Sequence, residues 1–101
     1  MGQRGEPGAI VVALDGAVER AAIPALCARL RAALDDSPGA GVICDVGRVA
    51  PADVAAVEAL LRLQLTARRR GRPFAVRHAA AELRALLALT GLADVVPLEP
   101  G

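Results

Sequence analysis

The chain has 101 residues, 54% of them apolar, and its 12 basic and 11 acidic side chains leave a formal net charge of +1. That length supports one small core, and the near balance of charge removes any general electrostatic case for nucleic acid or a lipid surface. Phe74 is the only aromatic residue among Phe, Trp and Tyr, so the stacking platform that nucleic-acid binding normally uses is missing as well.

Residues 1–9 open the chain as a polar segment with Gly and Pro, expected to be a flexible tail. MGQRGEPG has no apolar core of a leader peptide, and the run Ile10–Leu14 is cut short by Asp15. Met1-Gly2 begins like a myristoylation site, but Glu6 stands where Ser or Thr is required. Ile10–Leu14 is β-branched and apolar, the pattern of a buried strand, and it ends at Asp15-Gly16.

Ile23, Leu26, Cys27, Leu30 and Leu34 recur at helical spacing, with Pro24 in the first turn, where proline is tolerated. Asp36-Ser37-Pro38-Gly39 stops that helix, and Gly41–Val46 is the next strand. A second helix is expected from about residue 52 to 70, closed by Gly71 with Pro73 just beyond. PFAVRH, residues 73–78, is a third strand. A third helix follows, with Leu83, Leu86 and Leu87 on one face, Gly91 as its cap and Leu92 as the cap's apolar contact. Val95–Leu98 is a short last strand or extended end.

Alternation of strand and helix calls for crossover connections and a mainly parallel sheet. The expected fold is therefore α/β, one domain over 10–98 between tails at 1–9 and 99–101. It has a mainly parallel four- to five-strand sheet with helices packed on it. No uncharged run approaches the roughly 18 residues needed to span a bilayer, so membrane insertion is not expected. Cys27 and Cys44, far apart and flanked by apolar residues, read as small buried thiols of a reducing compartment, which places the protein in the cytoplasm.

Chemistry finds little to use. There is no Cys-x-x-Cys pair, no phosphate-binding glycine loop and no nucleophile beside a base, so no enzyme and no cofactor are expected. Asp45 and Asp53 lack the further ligands of a metal shell. They read better as a strand-end carboxylate bonding loop amides and a first-turn acid favoured by the helix dipole. His78 is a lone histidine. The arginines at 68–70, with Arg72, suit a solvated helix C-terminus.

The segments LDGAVERAAIPALCARL, ICDVGRVAPADVAAVEALL, ARRRGRPFAV and LRALLALTGLADVVPL, in that order, resemble the STAS domain. This is the module of sulfate transporters and anti-sigma-factor antagonists. The likeness covers roughly residues 10–98, and its most specific pieces are Asp45, Asp53 and the LTGLADVVPL tail. It implies a non-enzymatic protein-binding module of bacterial transcription regulation. The implied partner is an anti-sigma factor or histidine-kinase-type ATPase, met through the loop at 47–52 and the helix at 53–62. Alternatives are a STAS subunit of a stressosome-like or lipid-transport assembly, or a domain binding a small nucleotide or lipid near Asp45 and Ala55.

Antagonists of that family carry Asp-Ser-Ser-Gly at the start of the second helix, and the second serine takes the phosphate. Here the run is Asp53-Val54-Ala55-Ala56, so Ala55 stands where the phosphoacceptor would be. Ser37, Thr66 and Thr90 are the only side-chain hydroxyls, and none lies at that helix start. The resemblance implies Asp45, Arg48, Asp53, Val54, Ala55, Ala56, Glu58, Ala59 and Arg62 as partner contacts. At about 100° per residue, Val54, Val57, Leu60, Leu61 and Leu65 would form the apolar face. Ala55, Glu58, Ala59, Arg62 and Arg69 would lie opposite. Glu58 adds a fixed charge near the place of a phosphate, though one carboxylate is a poor mimic. Family members also begin with a strand paired to the one at 10–14. Its expected absence would leave that edge open, to be covered by a second copy or a partner.

Overall fold

The computed structural model describes residues 8–99 and, as backbone, the strand at 2–6. Four strands and three helices follow in the order β1 (Gly2–Glu6), β2 (Ala9–Gly16), α1 (Ile23–Asp36), β3 (Gly41–Val49), α2 (Val54–Arg69), β4 (Phe74–Arg77) and α3 (Ala81–Leu89). A 3₁₀ turn at Arg20–Ala22 leads into α1. The sheet order is β1-β2-β3-β4. The parallel part is three strands, β2, β3 and β4, and β1 runs antiparallel to β2.

The first strand corrects the expectation of a loose tail. GQRGE has no apolar alternation, but its backbone pairs with β2 from Gly2↔Ala13 to Glu6↔Ala9. A strand of weak propensity forms when a neighbour supplies the ladder. The consequence for assembly is direct: β2 lies between β1 and β3, so residues 10–14 are no edge for a second copy to pair with. At the other end, the expected strand at 95–98 reduces to one bridge, Val76↔Leu98. Pro97 accepts from the Val76 N–H at 2.8 Å, and the Glu99 N–H donates to Val76 at 2.7 Å.

The core joins alternate residues of each parallel strand to the helices. Ile10, Val12 and Leu14 of β2, Val42, Cys44 and Val46 of β3, and Phe74 and Val76 of β4 pack with Leu30, Leu34, Leu60, Leu63, Leu83 and Leu87. Full burial of a leucine contributes on the order of 1.5–3 kcal/mol, so the α1–α2 seam, with Leu30, Leu34, Leu60 and Leu63 all buried, anchors the helical layer.

Both long turns after helices use the cap geometry that glycine allows. Gly71 has φ +68 and Gly91 has φ +76, a region closed to most side chains. The Arg72 N–H reaches the Ala67 carbonyl at 3.0 Å, and the Leu92 N–H reaches Leu87 at 2.8 Å. These are the six-to-one bonds of a Schellman cap.

Arg72 itself is not part of a solvated cluster. Its guanidinium donates to the carbonyls of Leu34, Ser37 and Ala40 at 3.0, 2.9 and 2.8 Å. It closes the end of α1 and holds the turn into β3. Arg68, Arg69 and Arg70 are all exposed, and Arg70 among them pairs with Asp35 of α1.

Candidate functional site

The site is built where β3 ends and α2 begins. β3 leaves the core after Val46, passes through Gly47, Arg48 and Val49, and reaches α2 through a loop with a cis Ala50–Pro51 peptide. Asp53 is the N-cap: its backbone is extended, and its carboxylate accepts from the Ala56 N–H at 3.0 Å. A helix start leaves backbone donors without partners, and an aspartate there satisfies one while complementing the dipole. Val54 and Ala55 follow as the first two helical residues. Val54 is 55% exposed, and Ala55 is half-buried.

The buried arc of α2 is wider than the periodic leucines suggest. Ala56, Val57, Ala59, Leu60, Leu63, Gln64, Thr66 and Ala67 are all buried. At 100° per residue they cover about half the circumference, because the helix packs on the sheet and on its neighbouring helices together. The consequence for two of the anticipated contact residues is plain: Ala56 and Ala59 are 2% and 0% exposed and present nothing to a partner. Val54 and Leu65, placed on the inward face by periodicity, are instead exposed. The outward face carries Val54, Glu58, Leu65, Arg62, Arg68 and Arg69.

Glu58 does not lie free beside the first turn. Its Oε1 is 3.3 Å from Arg20 Nε, with both side chains partly exposed. The carboxylate is directed to the 3₁₀ turn ahead of α1, and its charge is offset there. This weakens the expectation of a built-in phosphate mimic.

Asp45 belongs to a second cluster, at the carboxyl ends of β3 and β4. Its Oδ1 accepts from the Gly47 N–H at 2.9 Å and lies 3.2 Å from His78 Nδ1. His78 follows β4 with φ +63, a backbone conformation uncommon outside glycine. Partial burial acts to raise the Asp45 pKa. The Gly47 N–H, the His78 ring and the charge of Arg77 act the other way and prevail, so the carboxyl ionises below its usual range. Next to it, burial and then the Asp45 charge push the Cys44 thiol up to about 12. Cys27 and Cys44 are both free.

Asp15, Asp45, Gly47, Arg48 and His78 line a cleft of about 330 Å³, at the ends of parallel strands where open α/β sheets place ligand crevices. Ala55 is not on its wall, so the structure does not join Asp45 and Ala55 in one pocket. Among the described residues, no three His, Cys, Asp or Glu side chains gather as a metal shell. No described helix is long and apolar enough to cross a membrane. Sequence reading did not anticipate the Asp45–His78 contact, the Glu58–Arg20 pair or buried Gln64, whose Nε2 donates to the Val95 carbonyl. Only tertiary placement brings these groups together.

A three-strand parallel layer that feeds β3 through a short loop into a capped, half-exposed helix defines a STAS-type domain. A family model described as "Mlab, STAS domain" matches residues 1–98, and the chain belongs to that family. The fold is shared with RsbS from Moorella thermoacetica, solved as a variant, at TM-score 0.79 and 16% identity over 99% of this chain and 86% of that one. An anti-sigma factor antagonist from Mycobacterium paratuberculosis is similar at TM-score 0.74 and 25% identity, covering 98% and 83%. A sulfate transporter family protein from Wolinella succinogenes is similar at TM-score 0.66 and 20% identity, covering 88% and 71%. No curated protein matches.

Proposed function

We propose that this chain is a non-enzymatic, cytoplasmic protein-binding module of bacterial transcription regulation. It meets an anti-sigma factor or a histidine-kinase-type ATPase through the loop at 47–52 and the outward side of the first turns of α2, up to Arg62. The observation that carries this reading is the first turn of α2, where Val54 is 55% exposed beside an alanine with no hydroxyl to modify. The cap bond from Asp53 fixes that turn. Arg48, Asp53, Val54, Ala55, Glu58 and Arg62 form the surface, with an apolar tip among polar groups as protein interfaces commonly have. Similarity to the Mycobacterium paratuberculosis antagonist supports the partner class. Because Ala55 cannot take a phosphate, the module remains in its unmodified state permanently, and any regulation acts on the partner.

The test is calorimetric titration of the full chain against each anti-sigma-type ATPase of its host, with Ala55→Asp and Val54→Asp as variants. Loss of an exposed apolar anchor, or a charge placed at the contact, weakens such binding by about tenfold or more. Absence of binding to every such ATPase, or binding indifferent to both changes, would overturn the reading. The match to an Mlab-type model favours one alternative: a STAS subunit of a stressosome-like or lipid-transport assembly. In that case the chain co-purifies in fixed stoichiometry with assembly subunits, and no free ATPase binds it.

A further inference from the structure

A second surface lies away from the helix start, in the groove between α1 and α2. Its floor is Ile23, Cys27 and Thr66, all buried. Around the floor stand Arg31 from α1 and Arg62 and Arg69 from α2, all three exposed. No carboxylate lines the groove. We propose that this groove binds a small phosphate-bearing anion, a diphosphate group held by Arg31, Arg62 and Arg69.

A surface arginine on a helix can pair with an acid one turn away, and both helices supply one. Glu58 precedes Arg62 by four residues, the favourable order for a helical ion pair, and Asp35 follows Arg31 by four. Neither acid makes that pair. Glu58 is held by Arg20 at 3.3 Å, and Asp35 is held by Arg70. Two arginines from outside the groove thus take the acids that would have neutralised it. Arg31, Arg62 and Arg69 have no ion pair or hydrogen bond from their guanidinium groups among the described residues. The local charge is not a reflection of the whole molecule, whose net charge is +1.

The shape and chemistry narrow the ligand. Guanidinium forks match the oxygens of phosphate with paired, charge-assisted hydrogen bonds. The groove is about 220 Å³, below the roughly 300 Å³ at which pockets for drug-sized ligands begin, so the anion is compact. Thr66 spends its hydroxyl proton on the Arg62 carbonyl, 2.9 Å away. The floor therefore adds apolar contact and only the weak S–H donor of Cys27, and recognition rests on the three cations. An inorganic diphosphate and the diphosphate of a short alkyl ester present the same group to them.

The test is calorimetry with the full chain at low salt in phosphate-free buffer, titrated separately with inorganic pyrophosphate and with a short alkyl diphosphate. Saturable one-to-one binding is expected, weakened about tenfold by Arg31→Gln and by Arg69→Gln, but less than about twofold by Arg29→Gln and Arg68→Gln. The last two remove the same charge from the same helices outside the groove. Equal affinity for both probes assigns the site to the diphosphate alone, and tighter binding of the ester adds the apolar floor; both uphold the proposal. No saturable binding of either probe at millimolar concentration overturns it. Equal losses in all four variants, or binding of an acidic peptide but of neither diphosphate, do the same. Arg31 and Arg69 lie outside the partner surface proposed above, so the ATPase titration is insensitive to their variants and the two readings fail separately.

Discussion

Asp45 and His78 are 33 residues apart in the chain and meet at 3.2 Å across the ends of two neighbouring parallel strands. The contact works with the Gly47 N–H to fix the turn that carries β3 toward the α2 helix start. Without the carboxylate, the Gly47 amide and the His78 ring lose a common acceptor.

Asp45→Asn should cost about 1 kcal/mol near neutral pH, the scale of a charge-assisted bond replaced by a neutral one. The folded-state pKa of Asp45 lies below its ordinary value of 3.8. A carboxyl depressed in this way contributes stability above the ordinary value and loses it as pH falls through the folded one. The gap between the parent chain and Asp45→Asn in urea melts should therefore close as pH is lowered through and below 3.8. A gap that stays constant down to pH 2 would show that the charge is irrelevant.

Asp53→Ala removes the acceptor for the Ala56 N–H and should cost about 1 kcal/mol, while Asp53→Asn should retain most of the cap. Chemical denaturation of both variants checks this. Equal losses would mean the charge, not the capping geometry, is what the helix start needs.

Arg72 spans three carbonyls, so Arg72→Ala should destabilise by about 2–3 kcal/mol. Arg72→Lys should recover little of it, since one ammonium cannot reproduce the planar fork. Thermal melts distinguish the outcomes: rescue by lysine would reduce the role to charge near a helix terminus.

The Cys44 thiol is buried at the centre of β3, with its pKa up to about 12. In the unfolded chain it ionises near 9.0. A raised folded pKa means its stabilising effect is complete below pH 9.0 and declines as pH rises toward about 12. Alkaline melts should show Cys44→Ala losing less stability over that range than the parent. Under native conditions at neutral pH, Cys44 should also resist iodoacetamide until the chain unfolds.

Much of the fold is written locally. The spacing of Ile23, Cys27, Leu30 and Leu34 gives α1, and Gly71 and Gly91 mark the two helix ends at which they are found. Asp53 ahead of an apolar run announces the cap that closes α2. What the local pattern does not carry is set by neighbours. GQRGE becomes a strand because β2 offers it a ladder. Ala59 is buried because α2 packs on more than one side, which no single-face periodicity expresses. Arg72 looks like one more cation of a run until the turn after α1 folds beneath it. In the candidate site, Ala55 and Asp53 are legible from the chain, whereas His78 gains its neighbour only when β4 aligns with β3.

The one acid of α2, Glu58, is balanced across the fold and not along the helix. A synthetic peptide of residues 53–70 would have no Arg20, and its Glu58 would turn to Arg62 one turn away. Such a peptide would display a neutral, self-paired ridge where the intact domain displays an uncommitted arginine. Excised helices are thus the wrong reagents for mapping what this surface recognises, and the unit of recognition is the whole domain.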